Sequence, residues 1–307
     1  MLSGVSVVCF AASYGVALAL EITRLLFRSG VRGAVMIGFA GAGLLAHSIF
    51  LYHRAVSTQG PPLSSQRDWY LLAAWVLAAI YLYLTCFHRR AAFGVFLLPL
   101  VLGLIGAGVW LADPEPFARE PASRMWGTVH GVSILLAVVA ILVGFATGLM
   151  YLHQAWRLKR KIPPTLGLRL PSLEWLQQAN LRAVVISVAM LGLGLLSGII
   201  LNLIRRPEAL GLGHLPWDDP IVICTWATFV WLLISLLVSA FYRRARQGTR
   251  VAYFTLVTFL LLVIALAVGF GLQTEHGGRR EAAPSDTSAL GILRDVAGEV
   301  SRDGAVP

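Results

Sequence analysis

"VHGVSILLAVVAILVGFATGLMYLHQAWRLKRK", from Val129 to Lys161, places a histidine at its head, then an apolar run, then four basic residues in its last five. Between Val129 and Trp156 there is no Asp, Glu, Lys or Arg. About 20 apolar residues in a helix cross the hydrocarbon core of a bilayer. The stretch therefore reads as a membrane span, and its basic tail marks the end that stays inside, because loops rich in Lys and Arg are retained there.

The same two signals repeat along the chain. Eight apolar runs are long enough to read as spans: Leu2 to Phe27, Val31 to Tyr52, Trp69 to Phe87, Ala92 to Leu111, Val129 to Trp156, Ala183 to Ile204, Ile221 to Tyr242 and Val251 to Leu272. Basic residues follow the odd-numbered runs: Arg28 and Arg32, Arg89 and Arg90, Arg157 to Lys161, and Arg243 to Arg250. The even-numbered loops mix signs, as in Asp113, Glu115, Arg119, Glu120 and Arg124. The expected fold is an all-α integral membrane bundle of eight transmembrane helices, both termini on the outer, periplasmic side. Residues 1–276 form the membrane domain, and the polar tail, residues 277–307, reads as disordered.

Composition agrees with that reading. The chain is 57% hydrophobic and 13% charged, with mean hydropathy +0.75, well outside the soluble range. Its net charge of +10 lies in short loops rather than along a stripe interleaved with aromatics, so it describes topology and gives no support for a nucleic-acid partner. Cys9, Cys86 and Cys224 stand singly in apolar runs, without the spacing of a dithiol or a structural zinc site.

Histidines and tryptophans carry the remaining information. His47 lies inside the second span, about 10 Å of helical rise below Arg54, and an ionisable group at that depth needs a partner or a ligand. His130 and His276 stand at outer ends of different helices; two imidazoles brought together there are a donor set for both axial positions of a haem iron. Trp126, Trp217 and Trp226 gather on the same side, and indoles offer flat faces to an apolar macrocycle. Trp226 and Trp231 are five residues apart and do not share a helix face closely. Asp218 and Asp219 precede Pro220, where acids and a first-turn proline suit the positive end of a helix. Arg124 or Arg205 would meet a carboxylate ligand better than these acids. No nucleophile elbow, phosphate loop or metalloprotease histidine pair is present, so binding and orienting an apolar molecule is expected rather than turnover.

Several stretches together resemble the cytochrome c assembly family that includes CcsA and its HemX and YpjD relatives. "LLAHSIFLYHRA" resembles the family's span-two histidine segment, and "FGVFLLPLVLGLIG" its span four. The opening stretch resembles the span that begins on an external histidine. "LPSLEWLQQANLRAVVISVAMLGLGLLSGII" resembles the loop and span six of the HemX-like branch. The family's tryptophan-rich external signature is shortened to "PWDDP" with Trp226, which also places the chain nearer the HemX-like members.

The resemblance implies a non-catalytic component of a bacterial inner membrane that binds haem b and delivers it at the outer face during cytochrome c maturation. It implies His130 and His276 as external axial ligands of the haem iron and His47 as a ligand within the membrane. Trp126, Trp217 and Trp226 would form the apolar wall beside Asp218, with Arg124 or Arg205 at the propionates. Besides haem, the implied partners are a second membrane subunit or apocytochrome c. The alternatives are a HemX-like regulator of haem synthesis acting through a protein partner, and a transporter of another small apolar or anionic solute.

Overall fold

In a computed structural model of the chain, the structure describes residues 6–26, 30–57, 65–88, 91–113, 124–161, 168–204, 219–241 and 248–271. All regular elements among them are α-helices: α1 (Val7–Leu26), α2 (Gly30–Ser57), α3 (Gln66–Phe87), α4 (Gly94–Trp110), α5 (Arg124–Lys159), α6 (Leu173–Ile204), α7 (Pro220–Phe241) and α8 (Gly248–Gly271). Helices are forced by the medium, since a chain in hydrocarbon must satisfy its backbone polar groups within each segment.

Each helix covers one of the eight apolar runs, so the expected helix count is met. Six of the eight are long and apolar enough to cross a membrane: α2, α3, α5, α6, α7 and α8. α1 has 20 residues, and α4 is the shortest of the eight. At 17 residues, α4 rises only about 26 Å, less than the roughly 30 Å hydrocarbon core. α5, with 36 residues, and α6, with 32, are well over that length.

Packing divides the bundle into α1–α4 and α5–α8. In the first set α1 packs on α2 and α4, and α3 on α4 and α2; in the second, α5 packs on α6 and α8, and α7 on α8 and α6; α3 and α4 touch α5 across the division. At the basic end, which carries Arg157 and Lys159, the α5–α6 connection clamps the two sets together. Ala92 N–H donates to the Arg169 carbonyl at 2.9 Å, Arg157 Nη1 donates to the Leu168 carbonyl, and Trp175 packs against His88 and Phe93 at 5.4 and 5.6 Å between ring centres. Ser172 caps α6 by accepting from Trp175 N–H at 3.3 Å.

At the opposite end, which carries His130, α3 opens on a capping box. Ser65 Oγ accepts from Asp68 N–H and Asp68 Oδ2 accepts from Ser65 N–H, both at 3.3 Å. Arg54, in the last turn of α2, completes it by donating to Asp68 Oδ1 and, at 3.3 Å, to Ser65 Oγ. The capping sequence thus also ties α2 to α3.

Candidate functional site

His130 sits in the second turn of α5, partly buried against α6. Its Nδ1 lies 2.8 Å from the Gly194 carbonyl oxygen. A carbonyl can only accept, so Nδ1 carries the proton and, in the neutral ring, Nε2 carries the lone pair. Two glycines make this approach possible. A Cβ on Gly198 would stand 3.0 Å from the imidazole Cε1, and one on Gly194 would stand 2.6 Å from Ile134 Cδ1. The ring therefore lies on bare α6 backbone, as glycine-lined helix contacts in membranes allow.

Trp69 forms the adjoining wall. A Cβ on Gly131 would stand 2.6 Å from its Cζ2 and 2.7 Å from its Cη2, so the indole packs closely on α5 beside His130 and joins the two halves of the bundle. Trp126, four residues before His130, shares its helix face and is partly buried. Residue type places Trp69 at an outer span end with Trp126 and Trp217 but not in the site, and it missed the three glycines. The Gly194-x-x-x-Gly198 spacing is the signal that could have found two of the glycines.

His47 is elsewhere. It is fully buried, stacked on Phe10 at 4.0 Å and 4° and edge-on to Tyr14 at 6.2 Å. The Leu71 backbone of α3 faces it, yet neither ring nitrogen has a hydrogen-bond partner in good geometry among the described residues. Since His47 touches α1, α2 and α3 whereas His130 packs on α6, the structure holds the two imidazoles in different halves of the bundle.

Trp226 is also apart from His130. It packs edge-on to Phe229 at 6.1 Å, and Phe229 rests on Gly192 of α6. Gly192 and Gly194 are two residues apart and so point to nearly opposite sides of the helix, which leaves α6 between Trp226 and His130. Trp226 and Trp231, which do not share a helix face closely, line one open apolar groove of about 640 Å³ with Ile223, Ala227, Val230, Ile234 and Leu261. Five residues turn a helix about 140° past one full turn, and the breadth of two indoles spans that angle.

Asp219 caps α7. It is 4% exposed, its Oδ1 accepts from Ile221 N–H at 2.9 Å, and Pro220 takes the first helical position, where its missing N–H costs nothing. Trp217, Asp218, Arg205 and His276 lie outside the described residues, as does the tail; Arg124 opens α5, but its side chain is likewise outside them. Among the described residues no group of three His, Cys, Asp or Glu could hold a bare metal ion.

A bundle of apolar helices, six of them long enough to cross a bilayer, is the architecture of a multi-pass membrane protein. The family model for cytochrome c assembly protein matches residues 63–274, and the chain belongs to that family. It is a multi-pass membrane protein of cytochrome c biogenesis. The match includes Trp69, Trp126, His130, Asp219 and Trp226; it begins after α2, and so after His47. Among curated relatives, the cytochrome c biogenesis protein CcsA of Gloeobacter violaceus is 24% identical, over 86% of this chain and 90% of its own length. An uncharacterized 28.8 kDa protein of Azospirillum brasilense is 28% identical, over 76% of this chain and 81% of its own.

Proposed function

We propose that the chain binds haem b at the end of the bundle carrying His130 and delivers it for cytochrome c maturation at the outer face of a bacterial inner membrane. The observation that carries this is the His130 Nδ1–H bond to the Gly194 carbonyl. Metal-bound histidines hold their second nitrogen in this way, which fixes the tautomer, orients the ring and raises the basicity of the ligating nitrogen. The donor chemistry thus fits a haem iron, which accepts nitrogen donors at its two axial positions.

His130 Nε2 is one axial donor in this reading and His276 the second. His47 is a lower site within the membrane, reached only when Phe10 parts from it. Trp126 and Trp69 form the wall beside His130, with Trp217 and Asp218 at the rim. Trp226 belongs to the groove that opens towards lipid and so serves the approach of an apolar macrocycle. Arg124 and Arg205 are the propionate partners. Arg67, at the head of α3, adds a further cation whose buried Nε has no acceptor among the described residues. The protein positions haem without catalysing a step of its own, and its partners are apocytochrome c or a second membrane subunit.

The visible spectrum of the purified chain, oxidised and reduced, tests this. A low-spin bis-histidine haem is expected, lost or converted to another spin state in His130→Ala and His276→Ala. A wild-type chain that stays colourless when haem is supplied overturns the reading.

A further inference from the structure

α5 and α6 run antiparallel and meet at two polar points. One is His130 with Gly194. The other is Asn180 of α6, 2% exposed, whose Nδ2 donates to the Gly144 carbonyl of α5 and to Thr255 Oγ1 of α8, both at 3.2 Å. From His130 to Gly144 is fourteen residues on α5, and from Asn180 to Gly194 is fourteen on α6. Fourteen residues are nearly four turns, about 21 Å of rise. The two points therefore lie on one seam, at matching heights on both helices.

The small residues of that seam do not define its register alone. Ile134 sits on Gly194, and a slip of one turn would seat it on Gly198 with the same clearance, since both are glycine. Asn180 removes this degeneracy. In the slipped register Leu152 would replace Gly148, and its Cβ would fall where a Cβ on Gly148 stands 2.9 Å from Asn180 Nδ2, holding the amide off the Gly148 carbonyl that takes the place of Gly144's. Packing and polar contacts, rather than hydrophobic force, order helices in a bilayer, and a single buried asparagine is an established way to choose between registers.

We propose that Asn180 is a positioning residue: it fixes α5 against α6, and so holds the His130 imidazole on the Gly194 carbonyl four turns away. Thr255 makes α8 a third member of the lock. This rests on the reading of His130 as an axial ligand.

Two variants probe it in the full chain with haem supplied. Asn180→Leu removes the donor, while Gly148→Ala leaves Asn180 in place but puts a Cβ 2.6 Å from Thr255 Oγ1 and 2.9 Å from Asn180 Nδ2. Each should weaken haem affinity about tenfold, as loss of an outer-shell partner does, and should change the axial-ligand signature in the electron paramagnetic resonance spectrum. Ser187→Ala, on the same seam but bonded within α6, should change neither. A second arm needs no haem: with Cys9, Cys86 and Cys224 changed to serine, Ile134→Cys should cross-link to Gly194→Cys, and adding Asn180→Leu should shift the yield towards Gly198→Cys. Unchanged cross-linking in the Asn180→Leu background overturns the proposal, as does a shifted register that leaves affinity and signature as in wild type. If the wild-type chain takes up no haem, the His130 reading fails while the cross-links still decide the register.

Discussion

Gly131→Leu is expected to destabilise the bundle by about 2–3 kcal/mol, the upper range for overpacking a close contact, and to lower haem uptake with it. Any Cβ at position 131 comes within 2.7 Å of two atoms of the Trp69 ring. An indole is rigid, so it can yield only by leaving α5 or by carrying α3 with it. The contact lies where the two sets of helices meet and one residue from His130. Unfolding titrations in detergent measure the first effect and haem titration the second. Trp69→Ala in the same chain should restore part of the stability loss, because removing the ring makes room for the leucine; coupling of that sign is what contacting residues show in a double-mutant cycle. Gly131→Leu with wild-type stability, or a loss that Trp69→Ala leaves untouched, would show that the indole is not held there.

The class of fold was legible because hydrocarbon imposes it: apolar run length gave each helix, and the structure places one helix on each run. Length alone was less informative for α4, whose 17 residues are fewer than its apolar run, because a run of apolar residues does not say where capping and turns begin. The Asp219 cap was legible because acid before proline is a local signal. Proximity was not. His130 on Gly194, Trp69 on Gly131 and Asn180 on Thr255 join residues 64, 62 and 75 positions apart, and glycine has no side chain to announce a role. For the same reason residue type grouped Trp226 with His130, although Phe229 on Gly192 sets the tryptophan on the far side of α6. His47 was recognisable as exceptional by its depth, but its stacking on Phe10 follows from how α1 packs on α2.

Asp68→Ala should cost about 3 kcal/mol of stability, because one carboxylate serves two structures. It closes the capping box of α3, where loss of a cap costs about 1 kcal/mol, and it accepts from Arg54, where a charge-assisted bond contributes about 1.5–3 kcal/mol. The Asp68 side chain is 7% exposed and that of Arg54 28%, so water screens the pair on one side only and the lower part of that range applies. Asp68→Asn separates the contributions: its amide oxygen can still accept from Ser65 N–H, but it carries no charge for Arg54, so it should lose about half as much as alanine. Arg54→Ala combined with Asp68→Ala should lose less than the sum of the two, by about 1–2 kcal/mol, since neither residue is then left facing an absent partner. Strict additivity in thermal unfolding would remove the pair from the account. The same variant also tests how far the site extends, because the pair ties α3, which carries Trp69, to α2, which carries His47. Asp68→Ala that weakens the fold but leaves the haem spectrum unchanged confines the site to α5–α8 and the face of Trp69. A changed spectrum would make the height of α2, and with it His47, part of how the first half of the bundle receives haem.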